Sequence, residues 1–223
     1  MLLVCCLFVG AQVQAAHITH HSLVFELDLE NHSLEGRDEI RVEEISGPFH
    51  VLIGKAYKIT AIQVGGATTY AEYLPASAAL FGVRDDPRDA SFWASVWAVP
   101  LPTSGGQTTG EYVIRWSGTA FDTAGLSGFS HDRIATEVNA FIGKEGVYLS
   151  PEAVYYPRIP RDLASFQAEV VLPADYRVVT SGQCTRDEAT EGVRRVIHDE
   201  PNPIDGLTIC AGKWRFLLSL RTK

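Results

Sequence analysis

The residues of this chain best suited to metal or acid–base chemistry are its seven histidines, and their spacing limits what they can do. Three crowd into His17-Ile18-Thr19-His20-His21, and imidazole is a good donor to zinc, copper or nickel. A strand would point His20 and His21 to opposite faces, so a frayed polar terminus is the alternative to a metal site. His32, His50, His131 and His198 stand singly. None of the seven is followed by Glu with a second His three residues on, so the metallopeptidase motif His-Glu-x-x-His is missing from the sequence.

Other groupings are as sparse. Ser127, Ser130, His131 and Asp132 are the one Ser/His/Asp cluster, but the members of a catalytic triad converge from separate elements. Asp85, Asp86 and Asp89 offer oxygen ligands of the kind calcium takes. No glycine or closing glutamate completes a loop there, which reads as a solvated turn. Cys184 and Cys210 could close one disulfide around a loop of about 26 residues, worth roughly 3 kcal/mol, or stay as two buried free thiols. Trp93, Trp97, Trp116 and Trp214 could form a sugar-binding platform or fill a core. No catalytic residue and no metal ligand is assigned in this chain.

The elements that would carry such groups are β-strands. Ser22 to Glu30 places Leu23, Phe25, Leu27 and Leu29 on one face and charged residues on the other. Asn31-His32-Ser33 turns the chain, and Leu34 to Glu44 returns as the second arm of a hairpin. Further strands are expected at Phe49–Ile53, Ile59–Val64 and Gly110–Gly118, the last with Tyr112, Ile114 and Trp116 on one face. Phe166–Leu172, Tyr176–Thr180, Gly192–His198 and a final strand within Leu207–Trp214 follow. Residues 91–102 read as strand or short helix, and residues 131–142 as helix or loop. Many short strands at regular spacing predict an all-β fold, an antiparallel sandwich of two sheets.

Charge and composition exclude some functions. Hydrophobic residues make up 46% of the 223 and charged residues 21%, the balance of a globular domain. A formal charge of −8 with no basic stripe argues against nucleic-acid binding, which needs clustered Lys and Arg. Residues 1–15 form an apolar run ending Val13-Gln14-Ala15, read as a signal peptide carrying Cys5 and Cys6. That run is too short for a stable membrane span, so the chain is expected to be exported to a periplasmic or extracellular space. A single β-sandwich domain is assigned to residues 16–215, and residues 216–223 to a truncated tail or linker.

The segment EGVYLSPEAVYYPRIPRDLASFQAEVVLPADYRVVTSGQC, from Glu145 to Cys184, resembles the late part of the N-terminal β domain of M1 zinc aminopeptidases, relatives of aminopeptidase N. HHSLVFELDLENHSLEGRDEIRV resembles that family's first hairpin, with a Leu-x-Gly turn into the second strand. GEYVIRWSGTAFD resembles its strand ending in aromatic-x-Gly, and Ala211-Gly212-Lys213-Trp214 its Ala-Gly-x-aromatic ending. The resemblance covers residues 17 to 214. It implies a saddle-like, non-catalytic domain that forms one wall of a peptide cleft, truncated before the catalytic domain. Zinc, the hydrolysis of N-terminal residues and the Gly-x-Met-Glu-Asn motif would belong to that missing domain, the expected partner. In this family a glutamine helps hold the substrate's amino group. The matching position falls at or beside Glu145-Gly146, where no glutamine stands. Glu145 could replace it, since a carboxylate pairs well with an ammonium, and Tyr148 could line the same cleft. The alternatives are a solvated loop acid and a core or sheet-edge tyrosine. The alternative to the whole reading is a stand-alone secreted β-sandwich that binds a carbohydrate or protein.

Overall fold

A computed structural model of the chain describes residues 16–69, 72–76, 96–103, 108–120 and 140–214. The signal segment 1–15 with Cys5 and Cys6, the Asp85/Asp86/Asp89 turn, Trp93, the Ser127/Ser130/His131/Asp132 cluster and the tail 216–223 lie outside these residues.

In chain order the strands are β1 (His17–Asp28), β2 (Ser33–Glu43), β3 (Phe49–Gly54), β4 (Tyr57–Val64), β5 (Ala67–Thr69), β6 (Leu74–Pro75), β7 (Val96–Leu101) and β8 (Thr109–Thr119). They continue as β9 (Ala140–Gly143), β10 (Gly146–Leu149), β11 (Ala164–Pro173), β12 (Arg177–Thr180), β13 (Gln183–Thr190), β14 (Val193–Ile204) and β15 (Ile209–Gly212). One 3₁₀ turn, Pro151–Ala153, interrupts them, and no α-helix occurs among the described residues. The strands form an eight-stranded sheet in the order β13-β14-β11-β1-β2-β8-β4-β5, a four-stranded sheet β12-β15-β10-β9 and a three-stranded sheet β3-β7-β6. Buried side chains from all three sheets meet in one core. The fold is the all-β sandwich expected from the alternation, with its second layer divided between the two small sheets.

Alternation drives the first hairpin. Leu23, Phe25, Leu27 and Leu29 are all buried, as are Leu34, Ile40 and Val42 of β2. On the next strand Tyr112, Ile114 and Trp116 point into the same core. The Leu-x-Gly glycine, Gly36, belongs to strand β2 rather than to the turn. It lies between Phe25 and Trp116 in register. A Cβ there would come within 2.2 Å of the indole. Its absence lets the ring lie flat over the strand and meet Phe25 edge-on at 6.1 Å.

Residues 140–142, read as helix or loop, belong to strand β9, and three further features depart from the sequence reading. β1 starts at His17, not at Ser22, so His17-Ile18-Thr19-His20-His21 is paired strand and not a frayed end. β1 runs parallel to β11, although every other strand pairing among the described residues is antiparallel. β13 is a full strand although QCTRDEAT carries no apolar alternation, because it is an edge strand with every residue exposed.

The Tyr155-Tyr156-Pro157 motif pins the layers together. Tyr155 and Tyr156 are buried. The Tyr155 hydroxyl donates to the Leu207 carbonyl at 2.7 Å, and the Leu207 amide donates to the Tyr156 hydroxyl at 3.2 Å. The Trp116 indole N–H donates to the Tyr155 carbonyl at 2.9 Å. Leu52 and Arg158 exchange backbone hydrogen bonds of 2.7 and 3.1 Å, which ties β3 to the same segment. Burial pushes the Tyr155 hydroxyl well above its ordinary pKa and Tyr156 up to about 12, so both remain neutral partners. Tyr155 thereby links the large sheet to the residues that lead into β15, the strand beside β10.

Candidate functional site

The four-stranded sheet turns one face to the core and one outward. Val147, Leu149, Ile209 and Ala211 are buried on the inner side. The residues between them face out, and the register lines them up. Phe141 of β9 stands opposite Tyr148 of β10, Tyr148 opposite Cys210 of β15, and Cys210 opposite Val179 of β12. Tyr148 is 41% exposed and Val179 46%, with Phe141 and Cys210 half-buried. The next outward row holds Gly143, Gly146 and Gly212, completed by Arg177. Side chains from outside the row cover two of these glycines. The Phe141 ring and the Glu145 carboxylate lie over Gly143, at 2.8 and 3.0 Å from where its Cβ would be, and the Trp214 indole lies 2.6 Å from the same point on Gly212. Gly146 is needed for another reason, since a Cβ there would meet the Ala211 carbonyl at 2.8 Å. The result is a partly exposed strip of aromatic and apolar groups with one carboxylate at its rim.

Several contacts hold the β9–β10 hairpin in place. The His32 ring donates from Nδ1 to the Ile142 carbonyl at 2.6 Å, and the Ile142 amide donates to Ala120 at 2.7 Å. Lys144 in the turn pairs with Glu30, and its carbonyl accepts from the Tyr176 hydroxyl at 2.5 Å. Lys213 sits over the Tyr176 ring at 4.9 Å and pairs with Asp175 at 2.8 Å. Glu145 itself is exposed, and no ion pair or hydrogen bond is made by it among the described residues.

The structure thus brings Glu145, Gly146 and Tyr148 onto one hairpin, with Tyr148 pointing outward. It adds Phe141, Val179, Cys210 and Trp214, which sequence reasoning did not connect to them. The outward position of Tyr148 was readable from Val147 and Leu149 on either side, whereas the row is assembled by register from distant segments.

The other candidate groupings do not converge. Cys184 and Cys210 are both free thiols, on β13 of the large sheet and β15 of the small one, and Cys184 is exposed rather than buried. Burial raises the Cys210 thiol above its ordinary pKa. Trp116 is buried in the core and Trp97 packs on Tyr73 at 6.1 Å, so the tryptophans among the described residues form no common platform. His17 donates to Asp162 at 3.0 Å, His20 to Ser165 at 2.8 Å and His21 to Asp38 at 2.7 Å. Each histidine of the cluster is committed to a different partner. No group of three or more His, Cys, Asp or Glu side chains able to hold a metal occurs among the described residues. The donor set present does not fit a zinc site. No helix among the described residues is long and apolar enough to cross a membrane.

No protein-family model matches the sequence, and no curated protein matches it. Solved structures do share its fold. The M1 zinc metallopeptidase from Deinococcus radiodurans superposes with a TM-score of 0.60 at 18% identity, over 89% of this chain and 42% of that one. A variant of that enzyme is solved with a Tyr-Ser-Ala substrate bound. Legionella pneumophila aminopeptidase A, in complex with aspartic acid, gives 0.61 at 14% identity, over 90% of this chain and 22% of that one. Native yeast LTA4 hydrolase gives 0.59 at 14% identity, over 89% and 29%. The chain therefore spans less than half the length of each of these structures.

Proposed function

We propose that this chain is the non-catalytic N-terminal β domain of an exported M1-type zinc aminopeptidase, and that the outer face of its four-stranded sheet forms one wall of the peptide-binding cleft. The observation that carries this reading is the Phe141–Tyr148–Cys210–Val179 row with Glu145 at its rim. A partly exposed apolar strip is what a partner surface or an extended peptide would cover. Glu145 supplies a charge-assisted acceptor for a peptide's α-ammonium, in place of the amide that the family resemblance implies there. Tyr148 gives the adjoining side chain an aromatic surface to lie on. On this reading, which rests on the family resemblance of the Glu145–Cys184 segment, zinc and the bond-breaking step would belong to a separate catalytic domain. The whole protein would then remove N-terminal residues from peptides.

Docking on that face has a direct readout in Cys210. In a chain with Cys5, Cys6 and Cys184 changed to Ser, alkylation of Cys210 by iodoacetamide is expected to slow about tenfold once an M1-type catalytic domain is present at ten times its Kd. An unchanged rate in the presence of a bound catalytic domain would place the interface elsewhere.

A further inference from the structure

The eight-stranded sheet turns one face away from the core, and on that face several cations are neutralised by a neighbour. Arg41 pairs with Glu111 at 3.8 Å, Arg195 with Glu169 at 2.7 Å, and Arg37 with Glu39. The pattern breaks at one place. Glu26 of β1 stands directly opposite Glu35 of β2, and two residues along β2 Arg37 stands directly opposite Arg115 of β8. Like charges opposed across an antiparallel pair are destabilising, so the fold itself gains nothing from either match. Glu26, Glu35 and Arg115 are exposed and make no ion pair or side-chain hydrogen bond among the described residues.

A hollow of about 250 Å³ lies at this place, and its lining includes Glu26, Glu35, Arg37, Thr60, Arg115 and Ser117. One wall is made by a β-bulge. The register of β4 on β8 slips between Ile59 and Ala61, so Ile59 and Ile62 both reach the core while Thr60 is an extra residue, left exposed. Bulges re-aim side chains in this way and recur beside functional sites. Ser117 stands directly opposite Glu35 and brings a second hydroxyl. Arg37 is held by Glu39, which leaves Arg115 as the free guanidinium. One end of the hollow thus offers two carboxylates and the other a guanidinium. The ends are two residues apart along a strand, roughly 7 Å. An extended dipeptide spans about the same length, 7 Å, from ammonium to carboxylate.

We propose that this hollow binds a short zwitterionic peptide, with its α-ammonium between Glu26 and Glu35 and its α-carboxylate on Arg115. Both contacts are charge-assisted hydrogen bonds, and the planar guanidinium takes a carboxylate in bidentate fashion. Such a ligand relieves both like-charge matches at once, which a cation or an anion alone does not. The hollow lies on a different sheet from the Phe141–Tyr148 strip, and the inference does not depend on the cleft reading.

The test is calorimetric titration of the full chain with alanyl-alanine, N-acetyl-alanyl-alanine, alanyl-alanine amide and free alanine. Alanyl-alanine is expected to bind at a single site. Acetylation or amidation removes one charge and is expected to weaken binding about tenfold or more. Free alanine, too short to reach both ends, should lose a similar factor, as should Arg115→Gln and the double variant Glu26→Gln/Glu35→Gln. Substitutions at such exposed positions change stability little, so lost binding would not be lost folding. Glu145→Ala should leave the titration unchanged. The proposal is overturned if alanyl-alanine does not bind at millimolar concentration, or if binding survives capping of either terminus. Free alanine binding as tightly, or an affinity that ignores Arg115 and the two glutamates or follows Glu145 instead, would overturn it equally.

Discussion

Trp116→Ala is expected to cost about 3–5 kcal/mol of stability, the range for emptying a large aromatic from a core. The corresponding fall in Tm is roughly 10 °C or more for a domain of this size. The indole is 1% exposed, lies across Gly36, meets Phe25 edge-on and donates to the Tyr155 carbonyl at 2.9 Å. Its loss leaves a cavity over a glycine that has no side chain to relax into it. It also strands a carbonyl in the segment that joins the large sheet to the site sheet. Gly36→Ala in the intact protein should cost about 1–3 kcal/mol by crowding the ring. The double variant should be less than additive, because the clash disappears with the ring. Thermal unfolding followed by circular dichroism reads all three. A Trp116→Ala loss below about 1 kcal/mol would contradict the packing described.

His21→Leu is the second large effect. His21 and Asp38 are 3% and 0% exposed and joined by one 2.7 Å hydrogen bond. The imidazole is stacked on Phe166 at 4.9 Å and edge-on to Tyr156 at 5.4 Å. The second oxygen of Asp38 already lacks a partner, so removing His21 leaves a buried carboxyl with none. Breaking such a pair from one side costs about 3–5 kcal/mol, while replacing both members with apolar residues is often neutral or better. The expectation is a large loss for His21→Leu that His21→Leu/Asp38→Leu mostly recovers, measured by urea unfolding. Equal loss in the single and double variants would mean that the stacking of the ring, not its pairing with Asp38, is what matters.

Much of the fold was legible in the sequence wherever a strand has one wet and one dry face. Leu23, Phe25 and Leu27 on β1 and Tyr112, Ile114 and Trp116 on β8 announce both the strand and its buried side. β13 was illegible because an edge strand exposed on both sides needs no alternation. The parallel pairing of β1 with β11 was also hidden, since Ser22 and Gln167 find each other through topology rather than pattern. HITHH read as polar, yet His21 is buried because Asp38, on a strand seventeen residues away, supplies its partner. The same limit applies to the site. The resemblance singled out Glu145, Gly146 and Tyr148. Cys210 and Val179 joined them only when register placed β15 and β12 beside β10.

The central claim, that this chain supplies a cleft wall to a zinc peptidase domain, is tested most directly by a chimera. The chain is joined to a zinc-loaded M1-type catalytic domain from which the native N-terminal domain has been removed, and hydrolysis of aminoacyl substrates is measured. The account predicts restored cleavage. It also predicts that Glu145→Ala raises KM roughly tenfold or more, the cost of losing a charge-assisted hydrogen bond, and that Tyr148→Ala raises it as well. A soluble, zinc-loaded chimera without hydrolysis, or one whose KM ignores both substitutions, would contradict it.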